Sequence, residues 1–562
     1  MASGFMVFGV SGALADDFHG IAFAKGCTSP VEIGDPYTCS LQILNVVDTA
    51  QDTLRVTGFS DVVHSAGGDV ATGNILSTTG LVFNGAVSCT GGSGAGTSGD
   101  PYLGATECLL PFGTSIQTKP FSHYTVQAND FNLPNHQLAD TATLNWNNTC
   151  TAPSPNCTTD TQENTAGASA VVQKLPSATA TDIHNAAHAV VTAVAVGTTV
   201  HDFVTVTGQQ GAPVPSGNVS IDWFLNGDCS GQPAANSGSV GPLDASGHFD
   251  ATAFAFPVNT AGFRAFTAHY LGDDTYLSSD GACEPLQVVD ANVQISPATA
   301  TNRVDTNHVL TCHVNVNDGN GFANAPAGTV CTGSIVSGPG SFVGSNQCAT
   351  VGTSGDCQLT ITSAVTGLTT IHASTDVLVA GVSLHRETGD GHAGDGANAQ
   401  KLWVNAAILI APNATNEVGQ PHTFTATLLF DTGSGLQPAG ANQPVTVTLA
   451  SSNGATPVPA GPFTLTTNAA GQVSVTFTSQ AAGQVAGHAS WTGSVSGSAP
   501  FTVQTDGQAP NSANAVKTFV DAYITISPPE AVNPVNTTHT YTAHVFINDG
   551  SGAAYTDAPD GT

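Results

Sequence analysis

The chain has 562 residues, of which 9 are Lys or Arg and 40 are Asp or Glu, so its formal net charge is −31. This charge excludes nucleic acid as a partner and disfavours an anionic membrane surface, because both need clustered Lys and Arg. Charged residues make up 9% of the chain while apolar residues make up 40%, so the composition is that of folded domains rather than of a disordered polyelectrolyte.

The first 15 residues form a short apolar run that ends in Ala-Leu-Ala. This run resembles the core of a secretory signal peptide with its cleavage site, although no basic residue precedes it and the first lysine is Lys25. We interpret residues 1–15 as a truncated signal peptide; the alternative is an ordinary buried first strand. No run of 18 apolar residues occurs elsewhere, so no membrane span is predicted.

All 12 cysteines precede residue 358, and none of them forms a C-x-x-C pair. That spacing counts against a zinc ribbon or a thioredoxin-like centre, and the even number favours disulfides in an oxidising compartment. We therefore expect an extracellular or cell-surface protein. Residues 16–174 form a cysteine-rich segment, predicted to be a β-sandwich, whose disulfide connectivity stays open.

The second predicted domain, residues 175–290, contains only two cysteines, Cys229 and Cys283, which are predicted to pair. It also contains His184 and His188, spaced i, i+4. Such spacing on a helix can hold a metal, but the glutamate of a zinc protease is missing and the segment does not have a helical pattern. No metal site is predicted here.

The third predicted domain, residues 291–405, contains four cysteines, which allow three connectivities. Cys348 and Cys357 flank a hairpin that ends at Gly355, and Cys312 and Cys331 are interpreted as lying on neighbouring strands. The preferred pairs are therefore Cys312 with Cys331 and Cys348 with Cys357.

Sequence repeats divide the rest of the chain. An Ile-x-Pro motif recurs at residues 295–297, 410–412 and 526–528, and about ten residues later each copy is followed by a histidine: His308, His422 and His539. The histidine offsets are 422 − 308 = 114 and 539 − 422 = 117. A period of this size fits one whole β-sandwich of roughly 100 residues rather than a solenoid unit. A turn that ends in glycine, at residues 244–247, 352–355 and 468–471, extends the repeat back into the second domain.

Strand signals are clear in the fourth predicted domain, residues 406–521. Apolar and Thr or Ser residues alternate along residues 423–428, 445–449 and 473–478, which is typical of half-buried strands. Each domain joint contains almost no linker, because a Val-Asp-Ala or Val-Asn-Ala sequence directly precedes the next Ile-x-Pro strand. The fold class predicted is all-β, with tandem immunoglobulin-like sandwiches in an elongated array.

The motifs in this part of the chain resemble a known family. Residues 419–428 read Gly-Gln-Pro-His-Thr-Phe-Thr-Ala-Thr-Leu, followed by Pro-Val-Thr-Val at 444–447 and Asn-Ala-Ala-Gly-Gln-Val at 468–473. This pattern, carried by residues 291–562, resembles the bacterial Ig-like (Big-1) repeats of invasin- and intimin-type adhesins. The hairpin at residues 266–276 looks more like another bacterial Ig-like family. Such motifs consist of turn and core residues, so the resemblance implies a fold and not a function.

The last predicted unit, residues 522–562, is an incomplete Big-1-like domain. Residues 558–562 align with residues 325–329, where the earlier repeat has most of its domain still to come. Apolar side chains of its first strands are therefore expected to lack a partner sheet. We expect this segment to be locally unstable.

Candidate sites are few. His308, His422 and His539 lie one per domain, too far apart to share a metal, so a structural role is predicted for them. Oxygen-rich turns at residues 317–321, 431–435 and 548–552, together with Asp390 and Asp395, suit hairpin loops, and calcium binding is the alternative. No catalytic residue, metal ligand or cofactor is predicted.

The sequence predicts a structural role for the protein. The chain is predicted to be no enzyme but a stalk or spacer of a secreted or cell-surface protein that presents a distal domain. Two alternatives remain: an adhesin whose Ig-like domains bind a host or cell-surface ligand, protein or glycan, and a non-catalytic arm of a secreted hydrolase. The ligand itself is unknown.

Overall fold

The computed structural model describes residues 21–46, 53–149, 160–552 and 554–562, and the predicted signal peptide lies outside them. Within these ranges the chain consists of β-strands and loops apart from two short 3₁₀ helices, Ala128–Asn132 and Pro134–His136. Neither of these helices in the described part of the chain is long or apolar enough to cross a membrane. The prediction of an all-β protein is confirmed. Contacts divide the chain into two units, Met1–Val288 and Val289–Thr562.

The first unit contains two sets of strands. The first set, β1 to β11 in order, is Ile21–Cys27, Val31–Glu32, Cys39–Asn45, Leu54–Ser65, Gly68–Ala71, Leu81–Asn84, Ser88–Ser93, Leu103–Leu110, Ser115–Thr118, Gln137–Asn148 and Gln162–Gln173. The second set, β12 to β21 in order, is Ala178–Asn185, Ala193–Ala195, Thr199–Thr207, Val219–Phe224, Ala235–Asn236, His248–Asp250, Phe256–Pro257, Gly262–Tyr270, Ser279–Asp280 and Glu284–Ser296.

The first set of strands forms two sheets. One has the order β1-β3-β9-β6, and the other has the order β2-β11-β10-β4-β8-β7, with β5 on β4. Buried side chains such as Leu41, Phe59 and Trp146 fill the space between them. A second cluster of buried side chains joins Tyr37 and Leu138 of this sandwich to Tyr276 of the next one. The two sandwiches of the first unit thus share part of a hydrophobic core.

The second set of strands forms another sandwich. One sheet has the order β12-β14-β17, with β18 on β14, and the other has the order β16-β15-β19-β21, with β13 on β21 and β20 on β19. In its core the Trp223 ring stacks on Phe256 with ring centroids 4.8 Å apart and lies 4.6 Å from Phe266. These aromatic contacts hold the two sheets together.

The second unit begins within β21. Its further strands, β22 to β43 in order, are Thr299–Arg303, His308–Asn317, Phe322–Asn324, Val330–Ser337, Ser341–Phe342, Gln347–Ala349, Asp356–Thr362, Gly367–Val379, Val382–Glu387, Ala399–Ala411, Ala414–Glu417, His422–Asp431, Gln437–Pro438, Pro444–Ser452, Pro457–Val458, Phe463–Thr466, Gln472–Ser479, Gly483–Gly493, Phe501–Gln504, Ala515–Ser527, Thr542–Asn548 and Thr556–Asp557.

Strand order identifies the fold of these domains. The third sandwich has the sheets β21-β23-β28-β26 and β27-β25-β29-β31, and the fourth has β31-β33-β38-β36 and β37-β35-β39-β41. In immunoglobulin terms the first sheet of each pair is A-B-E-D and the second contains C-F-G. Short strands β22 and β32 run parallel to the last strand of their own domain. These are Ig-like sandwiches, as the sequence predicts.

The alternation in the fourth domain also predicts its two faces. Phe424, Ala426 and Leu428 are buried. The intervening threonines pair across strands on the outer face: Thr423 Oγ1 lies 2.8 Å from Thr476 Oγ1, and Thr425 Oγ1 lies 3.1 Å from Ser474 Oγ. On this outer face, cross-strand pairs are formed by hydroxyl groups instead of by charged side chains.

Successive sandwiches of the second unit share a strand. In β31, residues 399–403 pair with β29 of the third domain, and residues 405–411 pair with β33 of the fourth. In β41, residues 515–519 pair with β39, and residues 521–527 pair with β42. A single residue separates the two ladders in each case, so the joint contains no free linker.

The last part of β41 forms a small sheet with β42 and β43. Its apolar side chains are exposed: Ile524 is 66% and Ile526 is 58% accessible, whereas Val293 and Ile295, at the same positions two repeats earlier, are 0% and 5% accessible. Without a facing sheet this hydrophobic surface contributes little to stability.

Hydrogen exchange should therefore distinguish the two ends of the second unit. We expect the amides of residues 522–562 to exchange much faster than those of residues 291–329, because opening the exposed sheet removes few buried contacts. Exchange followed by mass spectrometry on the intact chain measures this difference. Equal protection of the two stretches would show that residues 522–562 fold stably as they are.

Candidate functional site

The predicted disulfide residues lie in the second and third sandwiches. The structure joins Cys229 to Cys283, Cys312 to Cys331 and Cys348 to Cys357. In the first sandwich, where the sequence leaves the pairing open, Cys27 joins Cys39 and Cys89 joins Cys108. The remaining two cysteines, Cys150 and Cys157, lie outside the described residues.

The strand argument behind one of these pairs is wrong. Cys312 lies on β23 and Cys331 on β25, and these strands belong to opposing sheets rather than being neighbours. They follow each other along the chain, but the connection crosses the sandwich. Within each sheet, Cys312 faces Cys357 and Cys331 faces Cys348. Both disulfides therefore cross the core side by side and link the two sheets.

The shorter of these bridges should be dispensable for folding. Cys348 and Cys357 close a loop of only 9 residues, for which the loss of unfolded-state entropy corresponds to about 2–3 kcal/mol. We expect the double variant Cys348→Ala, Cys357→Ala to keep a cooperative transition at a lower temperature, because the bridge between Cys312 and Cys331 still joins the sheets.

Calorimetry of the intact chain measures this effect. The variant Cys312→Ala, Cys331→Ala is the matched control, since it removes a bridge that closes a 19-residue loop and should destabilise the domain more. Loss of the cooperative transition in the first variant would contradict the expectation.

The oxygen-rich turns are hairpin loops that satisfy their own side chains. Asn317 Oδ1 accepts the backbone N–H groups of Gly319 and Gly321 at 2.9 and 3.1 Å. Asp431 Oδ1 accepts those of Gly433 and Gly435 at 2.8 and 3.1 Å. Oxygens engaged in this way stabilise the turn, which supports the hairpin interpretation over calcium binding.

Asp390 and Asp395 lie in the loop before β31. Asp390 Oδ1 accepts the N–H of His392 at 2.9 Å, and Asp395 Oδ1 accepts the N–H of Val293 at 2.6 Å. Burial is the main cause that raises the pKa of Asp395. The second contact fixes this loop to the first strand of its own domain.

The repeated histidines lie apart, each beside a lysine or an aromatic ring. Burial, and then Lys401, lower the pKa of His308 to about 4, and burial, followed by Lys517, lowers the pKa of His422. His539 is exposed, with its ring 4.5 Å from that of Tyr541. The structure does not bring these histidines together.

The two lysines are buried at matching positions of the third and fourth domains. Burial lowers the pKa of each ammonium to about 8. Lys401 donates a hydrogen bond to Asn302 Oδ1, whereas within the described residues the ammonium of Lys517 has no hydrogen-bond partner. Lys517 therefore destabilises the fourth domain when it is charged.

Replacing this lysine should stabilise the fourth domain. We expect Lys517→Met to gain about 1–3 kcal/mol at pH 7, because it removes an unpaired buried donor and keeps the volume. The folded pKa of Lys517 is about 8 and the unfolded value is 10.5, so the unfolded chain binds more protons between these pH values. Wild-type stability thus rises with pH across that window, and the advantage of the variant should fall.

Hydrogen exchange in denaturant of β39 and of residues 515–519 reports on the fourth domain, and exchange of β29 and of residues 399–403 reports on the third. Lys401→Met is the matched control and should stabilise the third domain by less, because it leaves the amide oxygen of Asn302 without its donor. A destabilised Lys517→Met variant at pH 7 would refute the explanation.

Two clusters of ionisable side chains were missed by the sequence analysis. The first, the Lys25 cluster, consists of Lys25, Asp61 and Asp140, all completely buried. Lys25 lies on β1, and the two aspartates lie on the adjacent strands β4 and β10 of the opposing sheet. The ammonium contacts Oδ1 of Asp61 and lies 2.5 Å from Oδ1 of Asp140.

Burial dominates the electrostatics of the Lys25 cluster. It raises the pKa of Asp140 to about 7; Lys25 lowers this pKa and Asp61 raises it further. His123 Nδ1 lies 3.7 Å from Oδ2 of Asp61, and burial followed by both carboxylates raises the pKa of the Tyr37 hydroxyl. Lys25 thus contacts the carboxyl groups of Asp61 and Asp140 where all three side chains are buried.

The second cluster, the histidine cluster, consists of His184, His188, His201 and Asp250 in the second sandwich. His184 on β12 lies directly opposite His201 on β14, and Asp250 on β17 lies opposite Phe203, two residues further along β14. Residues of equal parity share a face of a sheet, so His184, His201 and Asp250 point the same way.

A tight turn brings His188 to the same place. Asn185 Oδ1 accepts the N–H groups of Ala187 and Ala189, and His188 adopts a φ of 58°. One ligand atom from each member of the histidine cluster lies within 4.8 Å of all the others. The sequence spacing of His184 and His188 is the signal for this site, but it fits a hairpin turn rather than a helix.

Asp250 bridges two of the histidines. Its Oδ2 lies 2.9 Å from His188 Nδ1, and its Oδ1 lies 2.9 Å from His201 Nε2. Within the described chain, His184 Nδ1 is buried and lacks a hydrogen-bond partner. Burial is the main cause that lowers the pKa of His201, while Asp250 raises it.

Comparisons with known proteins give structural likeness at low identity. No known protein family and no curated protein matches the chain. Among solved structures, the D0-D1 domain of intimin is 19% identical, with 41% of this chain and 99% of that chain covered and a TM-score of 0.15.

Two further solved structures are also similar over most of their length. The three N-terminal domains of the bacteriophage RB49 outer capsid protein Hoc are 12% identical, with 61% and 98% covered and a TM-score of 0.26. The ICAM-5 D1-D4 ectodomain fragment is 12% identical, with 89% and 99% covered and a TM-score of 0.25. Because these TM-scores are low, the Ig-like assignment rests on the strand order above.

Proposed function

We propose that the chain is a non-enzymatic stalk or spacer of a secreted or cell-surface protein, built from Big-1-like and other Ig-like sandwiches that present a further domain. The strand shared by successive sandwiches is the observation that carries this proposal. A spacer must keep its ends apart, and a joint with one residue between two ladders restricts bending, unlike a flexible linker. Disulfides in three of the sandwiches fit an oxidising, extracellular location.

A second contact restricts each joint of the second unit. A Cβ built on Gly433, in the turn after β33, would lie 2.7 Å from the Cα of Gly367 in the preceding sandwich. At the next joint, a Cβ on Gly550 would lie 2.6 Å from Cγ2 of Thr518 and 3.2 Å from the carbonyl oxygen of Gly483, both in strands of the preceding sandwich. Asn453 donates a hydrogen bond to the carbonyl of Gly550 at 3.2 Å. In both joints the turn lies directly against the previous domain.

Small-angle scattering on residues 16–521 tests the proposal. A spacer requires an extended array, so we expect a distance distribution with a long tail; strands of about ten residues make each sandwich on the order of 30–40 Å long. A single symmetric peak would mean a compact assembly and would refute a spacer. An adhesin would instead be indicated by saturable binding of the same fragment to a protein or glycan surface.

The joint can be tested with a matched pair of variants. Gly433→Ala should loosen the joint between the third and fourth sandwiches, because its Cβ would meet Gly367. Gly435→Ala is the control: Gly435 also has a positive φ, 82° against 107° at Gly433, but its Cβ would meet no atom within 4 Å. We expect a broader distance distribution in the first variant only, and equal distributions would contradict the role of this contact.

A further inference from the structure

We propose that the Lys25 cluster forms a covalent cross-link, an amide between Nζ of Lys25 and the side-chain carboxyl of Asp61, with Asp140 carrying the proton. The bond would join β1 to β4, which lie in the two opposing sheets of the first sandwich. It would close a loop of 36 residues that the disulfides of this domain leave open.

Burial provides the driving force for this bond. Lys25, Asp61 and Asp140 have no solvent-accessible side-chain surface, so two carboxylates and one ammonium leave an excess negative charge in the interior. Taking ions out of water is costly even when they are paired. An amide replaces the ammonium and one carboxylate by a neutral group, and the water that it releases can leave.

The geometry provides the reacting groups. Lys25 reaches across the sandwich and contacts Asp61, while Asp140 lies on the strand next to Asp61 and also contacts the lysine nitrogen. An amine and a carboxyl held in contact react as one molecule, which removes the entropic cost of their meeting. A third ionisable group beside them can transfer protons.

The step is a condensation that needs no other reactant. Proton transfer within the contact gives a neutral amine and a neutral carboxyl group. Nζ of Lys25 attacks Cγ of Asp61 and forms the C–N bond; Asp140 accepts the proton from the nitrogen and donates one to the departing oxygen. The C–O bond breaks, one water leaves, and Asp140 is regenerated. The pKa of Asp140, raised to about 7, suits a group that both accepts and donates a proton near neutral pH.

Peptide mapping of the full wild-type chain tests the cross-link. After complete reduction and digestion, we expect a branched peptide that joins the segment of Lys25 to the segment of Asp61, lighter by one water than its two parts together. Linear peptides that contain Lys25 and Asp61 would overturn the proposal. A branch from Lys25 to Asp140 would overturn the assignment of the two aspartates.

Two variants test whether Asp140 carries the proton during cross-linking. Asp140→Asn cannot carry the proton and should yield linear peptides, as should Lys25→Met; a branch that persists in Asp140→Asn would overturn the role of Asp140.

The chain also contains its own control. Lys401 is buried beside the amide oxygen of Asn302, and burial alone lowers its pKa, so no carboxyl group assists there and its peptide should stay linear. The branched peptide and the linear Lys401 peptide are both read from the wild-type digest, so this comparison does not depend on whether a variant folds.

A different observation supports a second site. The histidine cluster, we infer, binds one divalent transition-metal ion of the Zn²⁺ type through His184, His188, His201 and Asp250. Imidazole nitrogens suit zinc, copper and nickel, whereas calcium and magnesium prefer all-oxygen sites. Three imidazoles and one carboxylate are a complete ligand set for tetrahedral zinc.

The distances fit such an ion. Zinc–nitrogen bonds of about 2.0–2.1 Å place neighbouring ligand atoms about 3.3 Å apart in a tetrahedron. In the structure Asp250 lies 2.9 Å from both His188 and His201, and all four ligand atoms lie within 4.8 Å of one another.

An unpartnered nitrogen points to a ligand. Within the described residues, His184 Nδ1 is buried and forms no hydrogen bond, although buried polar atoms are satisfied in most proteins. A cation beside Asp250, whose two oxygens already lie 2.9 Å from His188 and His201, would provide this nitrogen with a partner. The strands fix three ligands in advance, and the turn at Asn185 fixes the fourth.

Zinc titration of the metal-stripped full chain tests this site. Calorimetry should show one tight site per chain, and Co²⁺ should give the visible spectrum of a tetrahedral complex. His188→Asn is the safe variant, because His188 is 56% exposed and asparagine tolerates its positive φ. Loss of a direct ligand should weaken zinc binding at least about 10-fold, the lower range found for outer-shell partners.

A second histidine on β17 provides the control for zinc binding. His248→Gln changes a histidine on the same strand as Asp250 whose ring lies 5.3 Å from Phe203, and it should leave zinc affinity unchanged. Asp250→Asn should weaken binding as His188→Asn does. Absence of a tight site in the wild type, or unchanged affinity in His188→Asn and Asp250→Asn, would overturn the proposal.

Discussion

The shared strand is the constraint on which the second unit depends. Because β31 and β41 each belong to two sandwiches, the hydrogen-bond register of one domain sets the register of the next. A slip of one residue would turn every side chain of the shared strand to the wrong face in both domains. The register of each shared strand is thus constrained by two sandwiches.

The scarcity of cations makes their placement informative. Only nine Lys and Arg residues occur, and three of the lysines, Lys25, Lys401 and Lys517, are buried. Surface solubility comes instead from the acidic residues and from threonine and serine pairs on the outer faces. Each of these buried lysines has a different neighbour: Lys25 contacts two carboxyl groups, Lys401 donates to an amide oxygen, and Lys517 lies 5.2 Å from the centroid of the Phe519 ring.

The sequence predicts local structure well and three-dimensional contacts only in part. Alternation of Phe424, Ala426 and Leu428 with threonines predicts strands and faces, because these depend on period alone. The order of strands in a sheet depends on crossings that leave no local signal, so Cys312 and Cys331 were wrongly placed on neighbouring strands. The histidine cluster combines residues that are up to 66 positions apart, 250 − 184 = 66. The Lys25 cluster likewise requires knowing which strands of opposing sheets face each other.

The third and fourth domains fill the same interior in two ways. By register, Cys312, Cys331, Cys348 and Cys357 of the third domain occupy the positions of Ala426, Val445, Leu465 and Val473 in the fourth. Opposite Val445 the fourth domain has Trp491, where the third has Thr375. A buried tryptophan contributes a large apolar contact area, and a disulfide contributes a covalent limit on the unfolded chain. At this level of the core the third domain joins its two sheets with disulfides, and the fourth packs the buried Trp491 in the same interior.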